Sequence, residues 1–370
     1  MSWRESLLRS LAPGLFAGVS FGDWLAVLRE NHFAIDPRYW LRATCTSLNS
    51  LANSVSRWYE DRVYGPRVQG VSIPPPLFIL GHWRSGTTHL QNLLALDPRF
   101  ATPTLYQTNA PYTFLTTEAV GARLGNFFLP RTRLVDNMAH NFGTPYEDEF
   151  AACVTTRCSP YLTWAFPRRA DHYDRYLTFR EVPEAEVVKW KEALLRFFKK
   201  LTWKYGRPLV LKSPPHTARI KLLLAMFPEA RFVHIHRNPY VVFQSTKHLN
   251  LFAQPFYALQ RFDAQRMQAR ILRQYREMYD AFFEERGLIP KGHFHEIGFE
   301  ALEANPIGQV QGIYEALDLP DFGQVEPALR RYVESLSGYK KNRLPELPPD
   351  LRERIAGEWR RCFEEWGYPV

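Results

Sequence analysis

Four apolar residues, Leu77-Phe78-Ile79-Leu80, run straight into Gly81-His82-Trp83-Arg84-Ser85-Gly86-Thr87-Thr88, and Leu90, Leu93 and Leu94 follow on one helical face. A short continuous apolar run reads as a buried parallel strand, and the leucine spacing reads as a helix. The order strand, glycine-bearing loop, helix constrains this chain more than any other feature. Glycines let the backbone approach an anion, the loop N–H groups point at it, and the helix N-terminus adds partial positive charge. The segment predicts a phosphate cradle.

It departs from the loop of nucleotide triphosphatases. That loop places Lys after its second glycine, where this chain has Thr87; the positive charge here is Arg84. The apolar run RFVHIH (231–236) continues into Arg237 and offers no Asp to hold magnesium. A phosphate fits the loop, and a triphosphate–magnesium complex does not.

The strand–turn–helix order recurs. PLVLK (208–212) leads through SPPH into TARIKLLLAMF, RFVHIH leads through RNP into YVVFQSTKHL, and HFHEIGFE (293–300) is a fourth strand candidate. Strands alternating with helices predict a parallel sheet with right-handed crossovers. The expected fold is α/β: a P-loop-like parallel β-sheet flanked by helices, with an N-terminal helical cap and a helical insertion over the sheet's C-terminal edge. The expected boundaries are 1–73 for the helical region, 74–330 for the α/β domain with its insertion at about 101–207, and 331–370 for a basic loop and helix completing that domain. Pro74, Pro75 and Pro76 separate the first two, because they cannot continue a helix.

Within the cap, Leu41, Thr44, Cys45, Leu48, Leu51, Ala52 and Val55 repeat at helical period. This stripe predicts a helix packed on the main domain; the alternative is an interfacial amphipathic segment resting on a membrane. No segment reaches the roughly 18–20 uninterrupted apolar residues of a membrane span. The four cysteines are scattered and require no oxidising compartment. Lys and Arg exceed Asp and Glu by nine (47 − 38), which draws anions: nucleic acid, acidic lipid or a phosphorylated small molecule.

Arg237 and Ser245, eight residues on, supply a guanidinium fork and a hydroxyl suited to a second phosphate. Taken in order, these segments resemble the sulfotransferases. GHWRSGTTHL is similar to their 5′-phosphosulfate loop, RFVHIHRNPYVVFQST to their 3′-phosphate segment, and the strand ending in Lys212 before SPPH to their lysine-bearing strand end. The resemblance spans roughly residues 75–320 and is nearest to the bacterial enzymes of the broad family that includes the tyrosylprotein branch.

The resemblance implies 3′-phosphoadenosine-5′-phosphosulfate as donor, no metal, and a hydroxyl of an apolar small molecule or lipid-like compound as acceptor. It implies that Arg84 and Lys212 stabilise charge on the leaving oxygen. It also implies that Ser85, Gly86, Thr87 and Thr88 hold the 5′-phosphate, and that Arg237 and Ser245 hold the 3′-phosphate. His89 stands where cytosolic members carry an adenine-stacking Trp. Lys340 and Lys341, in SGYKKNR, are candidates for a basic loop closing over the nucleotide. The expected partners are a small-molecule acceptor and, through the N-terminal helices, a membrane surface, with no nucleic acid; the expected location is cytoplasmic or membrane-peripheral.

The general base is not where relatives carry it. The region matching the tyrosylprotein Glu reads TPTLYQTNAP, without a carboxylate, and the position of the cytosolic His is Pro214. The candidates are Glu147, in TPYEDEF, and His216, expected to open a helix near the donor; Asp148 and His140 follow. Nine aromatics of the insertion, among them Tyr112, Tyr161 and Trp164, could line an apolar pocket or form core. Two readings compete: a small-molecule kinase using ATP, and a non-catalytic, basic, membrane-peripheral nucleotide-binding protein. The missing P-loop lysine opposes the first. The intact set Arg84, Lys212, Arg237 and Ser245 opposes the second.

Overall fold

The computed structural model describes residues 14–127, 141–336, 338 and 345–370. The elements used below are, in chain order, α1 (Phe21–Glu30), α2 (Trp40–Gln69), β1 (Leu77–Leu80), α3 (Thr87–Leu94), α4 (Glu184–Tyr205), β2 (Val210–Lys212), β3 (Arg231–His236) and α5 (Pro239–Tyr257). They continue with α6 (Ala264–Glu285), β4 (Phe294–Gly298), α7 (Phe299–Ala304), α8 (Pro306–Ala316) and α9 (Phe322–Ser335). The described residues fall into two compact units: Met1–Ser72 with Pro103–Tyr205 and Leu249–Ala264, and Ile73–Thr102 with Gly206–His248 and Gln265–Val370.

The second unit holds the sheet, all parallel, in the order β2-β1-β3-β4. Strand side chains alternate between faces. Leu77 and Ile79 of β1 join Val233 and Ile235 of β3 in a core with Leu90, Leu93 and Leu94 of α3 and Val310 and Ile313 of α8. Phe78 points the other way and stacks on Phe232 at 5.6 Å between ring centroids. His234 of β3 stacks on Phe282 of α6 at 4.2 Å. Each fully buried large apolar side chain contributes roughly 1.5–3 kcal/mol, so this two-faced burial outweighs the shortness of the strands. The expected fourth strand forms over Phe294–Gly298, and Phe299 and Glu300 open α7.

The first unit is helical. Its α2 reverses the expected packing. Leu48, Leu51 and Val55 are exposed, while Ala43, Thr46, Ser50 and Glu60 are buried. The stripe read as a core face lies in solvent. The physical reason is that the opposite face has specific hydrogen-bond partners: Asn49 and Asn53 donate to Ala17 O at 2.6 and 2.8 Å, and Ser47 Oγ accepts from Trp24 Nε1 at 2.8 Å.

Most insertion aromatics are core of this unit. Phe114, Tyr161 and Phe166 are buried, and Tyr161 stacks on Trp164 at 4.5 Å. Phe128 lies outside the described residues.

Candidate active site

The loop between β1 and α3 is held open by backbone geometry. Gly81 has φ +144°, and a Cβ there would meet Ile235 O at 2.5 Å. Gly86 has φ +104° and caps α3; a Cβ there would meet the Phe299 ring at 2.3 Å. Arg84 has φ +71°, the left-handed region that costs a non-glycine residue roughly 1–3 kcal/mol and clusters at functional sites. Gly81 N–H donates to Thr217 Oγ1 at 2.7 Å, which ties the loop to the turn after β2.

Arg84 Nε donates to Ser245 Oγ at 2.9 Å. Arg237 Nη1 donates to the carbonyl of Arg84 at 3.3 Å. Loop and second segment therefore meet, because β1 and β3 are neighbours and both run toward the same edge. Lys212, at the end of β2, places Nζ 3.4 Å from Thr88 Oγ1. Arg84, Ser245, Arg237, Lys212 and Thr88 are brought together by three adjacent strands.

Two cations held this close strain each other. Burial pushes the Arg237 guanidinium below its usual pKa, Glu300 opposes that shift, and Arg84 adds to it. The Arg237 guanidinium lies over the Phe299 ring at 4.1 Å, a cation–π contact that disperses part of this charge. An anion arriving here would relieve the repulsion.

Ser85 is committed to the turn: its N–H and Oγ both donate to His82 O, at 3.1 and 2.8 Å. Thr87 is buried at the first turn of α3. His89 lies nearly parallel to Tyr332 of α9, with ring centroids 6.5 Å apart, and burial lowers its pKa. Lys340, Lys341 and His140 lie outside the described residues.

His216 does not open the helix that follows β2, which starts at Ile220. It is fully buried in the 3-10 turn Pro214–Ala218, edge-on to Phe78 at 5.4 Å. The two prolines preceding it tighten the chain into that turn. Glu147 is half-buried in the first unit and accepts a hydrogen bond from the Tyr161 hydroxyl. Asp148 beside it is fully buried.

Residues missed from sequence also stand here. Phe299, the first residue after β4, lies against both Gly86 and Arg237. His248 lies one helical turn after Ser245, and its pKa is lowered by burial and then by Arg84. The spacing Ser245 to His248 places both on one helix face and was the available signal. Among the described residues, no cluster of three or more His, Cys, Asp or Glu side chains could hold a metal ion.

Residues 75–323 match the sulfotransferase family. The chain is 36% identical over 368 residues to the omega-hydroxy-beta-dihydromenaquinone-9 sulfotransferase Stf3 of Mycobacterium bovis, covering 99% of this chain and 94% of that protein. The Mycobacterium tuberculosis protein of the same name matches equally, at 36% over 368 residues. Among solved structures, sulfotransferase STF9 from Mycobacterium avium has TM-score 0.70 at 20% identity, covering 93% of this chain and 91% of that one. Sulfotransferase STF1 from Mycobacterium tuberculosis has TM-score 0.60 at 18% identity, covering 92% and 91%. Those two identities speak for the fold alone. Since the family's pattern runs from just before β1 to the start of α9, and a named sulfotransferase aligns with nearly the whole chain, this protein belongs to the sulfotransferase family and is an enzyme of sulfuryl transfer.

Proposed function

We propose that the enzyme moves the sulfuryl group of 3′-phosphoadenosine-5′-phosphosulfate to a hydroxyl of an apolar, lipid-like small molecule, without a metal ion. The observation that carries this reading is the convergence of Arg84, Ser245 and Arg237, a cationic, hydroxyl-bearing set at the mouth of a glycine-shaped loop. Such a set suits two phosphates of one nucleotide. The loop also needs its glycines: Gly81 and Gly86 sit at positive φ, and a Cβ there would run into Ile235 O or the Phe299 ring.

The donor, when bound, supplies an activated sulfuryl group. Gly86, Thr87 and Thr88 hold its 5′-phosphate, and Ser85 keeps the loop in shape. Arg237 and Ser245 hold its 3′-phosphate, and His89 stacks on its adenine. The acceptor oxygen bonds to sulfur as the bond from sulfur to the 5′-phosphate oxygen breaks, and the electron pair stays on that oxygen. Arg84 and Lys212 stabilise this charge, the dominant kind of contribution in transfers of this type. Glu147 takes the hydroxyl proton. The burial of His216 against Phe78 weighs against its taking that proton directly.

The lipid-like acceptor is supported by the relative whose name specifies an omega-hydroxy menaquinone derivative. No described helix is long and apolar enough to cross a membrane. We place the enzyme in the cytoplasm, in peripheral contact with the membrane that holds its acceptor.

Thermal-shift titration tests the donor site. Adenosine 3′,5′-bisphosphate at a hundred times its Kd should stabilise the protein by about 2.7 kcal/mol. ATP with magnesium should do far less. The reverse pattern would favour phosphoryl transfer.

A further inference from the structure

Helix α2 is amphipathic the wrong way round for a helix that only packs. Its buried side carries hydrogen-bonding groups: Arg42 donates to Ala258 O at 2.7 Å, Asn53 to Ala17 O at 2.8 Å, and Glu60 pairs with Lys200 at 2.5 Å. Its outer side carries Leu41, Leu48, Leu51 and Val55, with Leu48 65% and Val55 68% exposed. Trp40 and Trp58, 61% and 64% exposed, stand at the two ends of this row. At 1.5 Å per residue, the row from Trp40 to Trp58 is about 27 Å long. A contiguous apolar face of this size on a folded surface marks an interaction site.

We propose that the outer face of α2 is a membrane-docking surface, lying in the plane of an anionic bilayer at the level of its headgroups. Three observations choose a bilayer over a protein partner. The exposed positions between the two tryptophans carry no charge. Tryptophan, whose amphipathic ring settles at the interface, bounds the row at both ends. The exposed charges just beyond the row are basic, Arg38 before it and Arg62 and Arg67 after it, while Asp61, its side chain 38% exposed, is taken up in ion pairs with Arg57 and Arg196. Arg62 lies over the Trp58 ring at 5.9 Å, so aromatic and cation sit together.

The same charges oppose pairing with a second copy of this chain. Antiparallel pairing along the row would set Arg38 against Arg62 and Arg67, and parallel pairing would set each arginine against its own copy. Anionic lipid phosphates satisfy both ends at once. The docking surface stands on α2 itself; it rests on the proposed function only for the reason it exists, which is access to a lipid-like acceptor.

The test is flotation of the full-length enzyme with vesicles of phosphatidylcholine alone or mixed with phosphatidylglycerol, at low and high salt. The variant is Leu48→Glu with Val55→Glu, both exposed, so folding should survive. Adenosine 3′,5′-bisphosphate thermal shift and sedimentation velocity are run on both proteins. The wild type should bind the mixed vesicles, and more weakly without phosphatidylglycerol or at high salt. The variant should bind about tenfold less or worse, while keeping its melting temperature and its response to the bisphosphate. Three results would overturn the proposal: a wild type that binds no vesicle, a variant that binds like the wild type, or a wild-type dimer that the variant dissociates without any vesicle binding. Vesicle binding with no bisphosphate response would leave the docking surface standing and remove the donor reading.

Discussion

Arg84 donates its Nε–H to the hydroxyl of Ser245 at 2.9 Å, joining residues 161 positions apart. One stands on the loop after β1 and the other on the helix after β3. The contact exists because these strands are hydrogen-bonded neighbours in parallel, Ile79 opposite Val233 and Leu80 opposite His234. It turns two separate segments into one cationic site, and Arg237 completes it through the Arg84 carbonyl.

Arg237→Ala should weaken donor binding more than it slows transfer. A charge-assisted hydrogen bond is worth about 1.5–3 kcal/mol, so donor KM should rise roughly 10- to 100-fold while kcat stays nearly constant. Steady-state kinetics with donor varied at fixed acceptor checks this. A large loss of kcat at unchanged KM would put Arg237 in the chemical step.

Glu147→Gln should lower kcat by about two to four orders of magnitude at saturating donor and leave adenosine 3′,5′-bisphosphate binding unchanged. His216→Ala should act mainly on stability, since it removes a ring packed on Phe78. If His216→Ala alone abolishes transfer and its protein remains folded, the proton acceptor has been misassigned. If neither substitution lowers kcat, Asp148 and His140 are next.

The sheet and the loop were legible because their signals are local. LFIL before a glycine pair and RFVHIH before Arg237 mark strands and their ends within a few residues. The direction of α2 was not legible. Periodicity marks a stripe without saying which side is covered, and the decisive partners of Asn49 and Asn53, at Ala17 and Val19, lie more than thirty residues away. The burial of His216 was not legible for a related reason. A histidine after two prolines looks like a helix start, but its environment is set by Phe78 on another strand. His248 was legible through its spacing from Ser245, had the helix been followed one turn further. Lys340 and Lys341 remain expectations, since they lie outside the described residues.

The folded protein should lose stability on the acid side well before its carboxylates protonate. His82 and His236 both have pKa values lowered from 6.5 to about 4, chiefly by burial. The unfolded chain therefore binds these protons near pH 6.5 and the folded chain only near pH 4. Between those values the unfolded state holds more protons, so stability falls as pH drops from about 6.5 to about 4 and is level above that window. Melting temperatures measured across this range should show the slope. His82→Asn should make it shallower, with His236 carrying the remainder, and an equal slope in that variant would mean that His82 does not contribute. Below about pH 4.5 Glu296 should add to the loss: burial alone would raise its pKa, but its bond to His234 holds it below the usual value.

The most direct measurement of the central claim follows sulfur. The purified enzyme is incubated with 3′-phosphoadenosine-5′-phosphosulfate labelled in its sulfuryl group, an apolar alcohol ending in a free hydroxyl, and EDTA. The account predicts a labelled sulfate ester of the alcohol, formed one for one with adenosine 3′,5′-bisphosphate, and undiminished by the chelator. No labelled ester in the presence of active, bisphosphate-stabilised protein, or transfer that vanishes with EDTA and returns with magnesium, would contradict it.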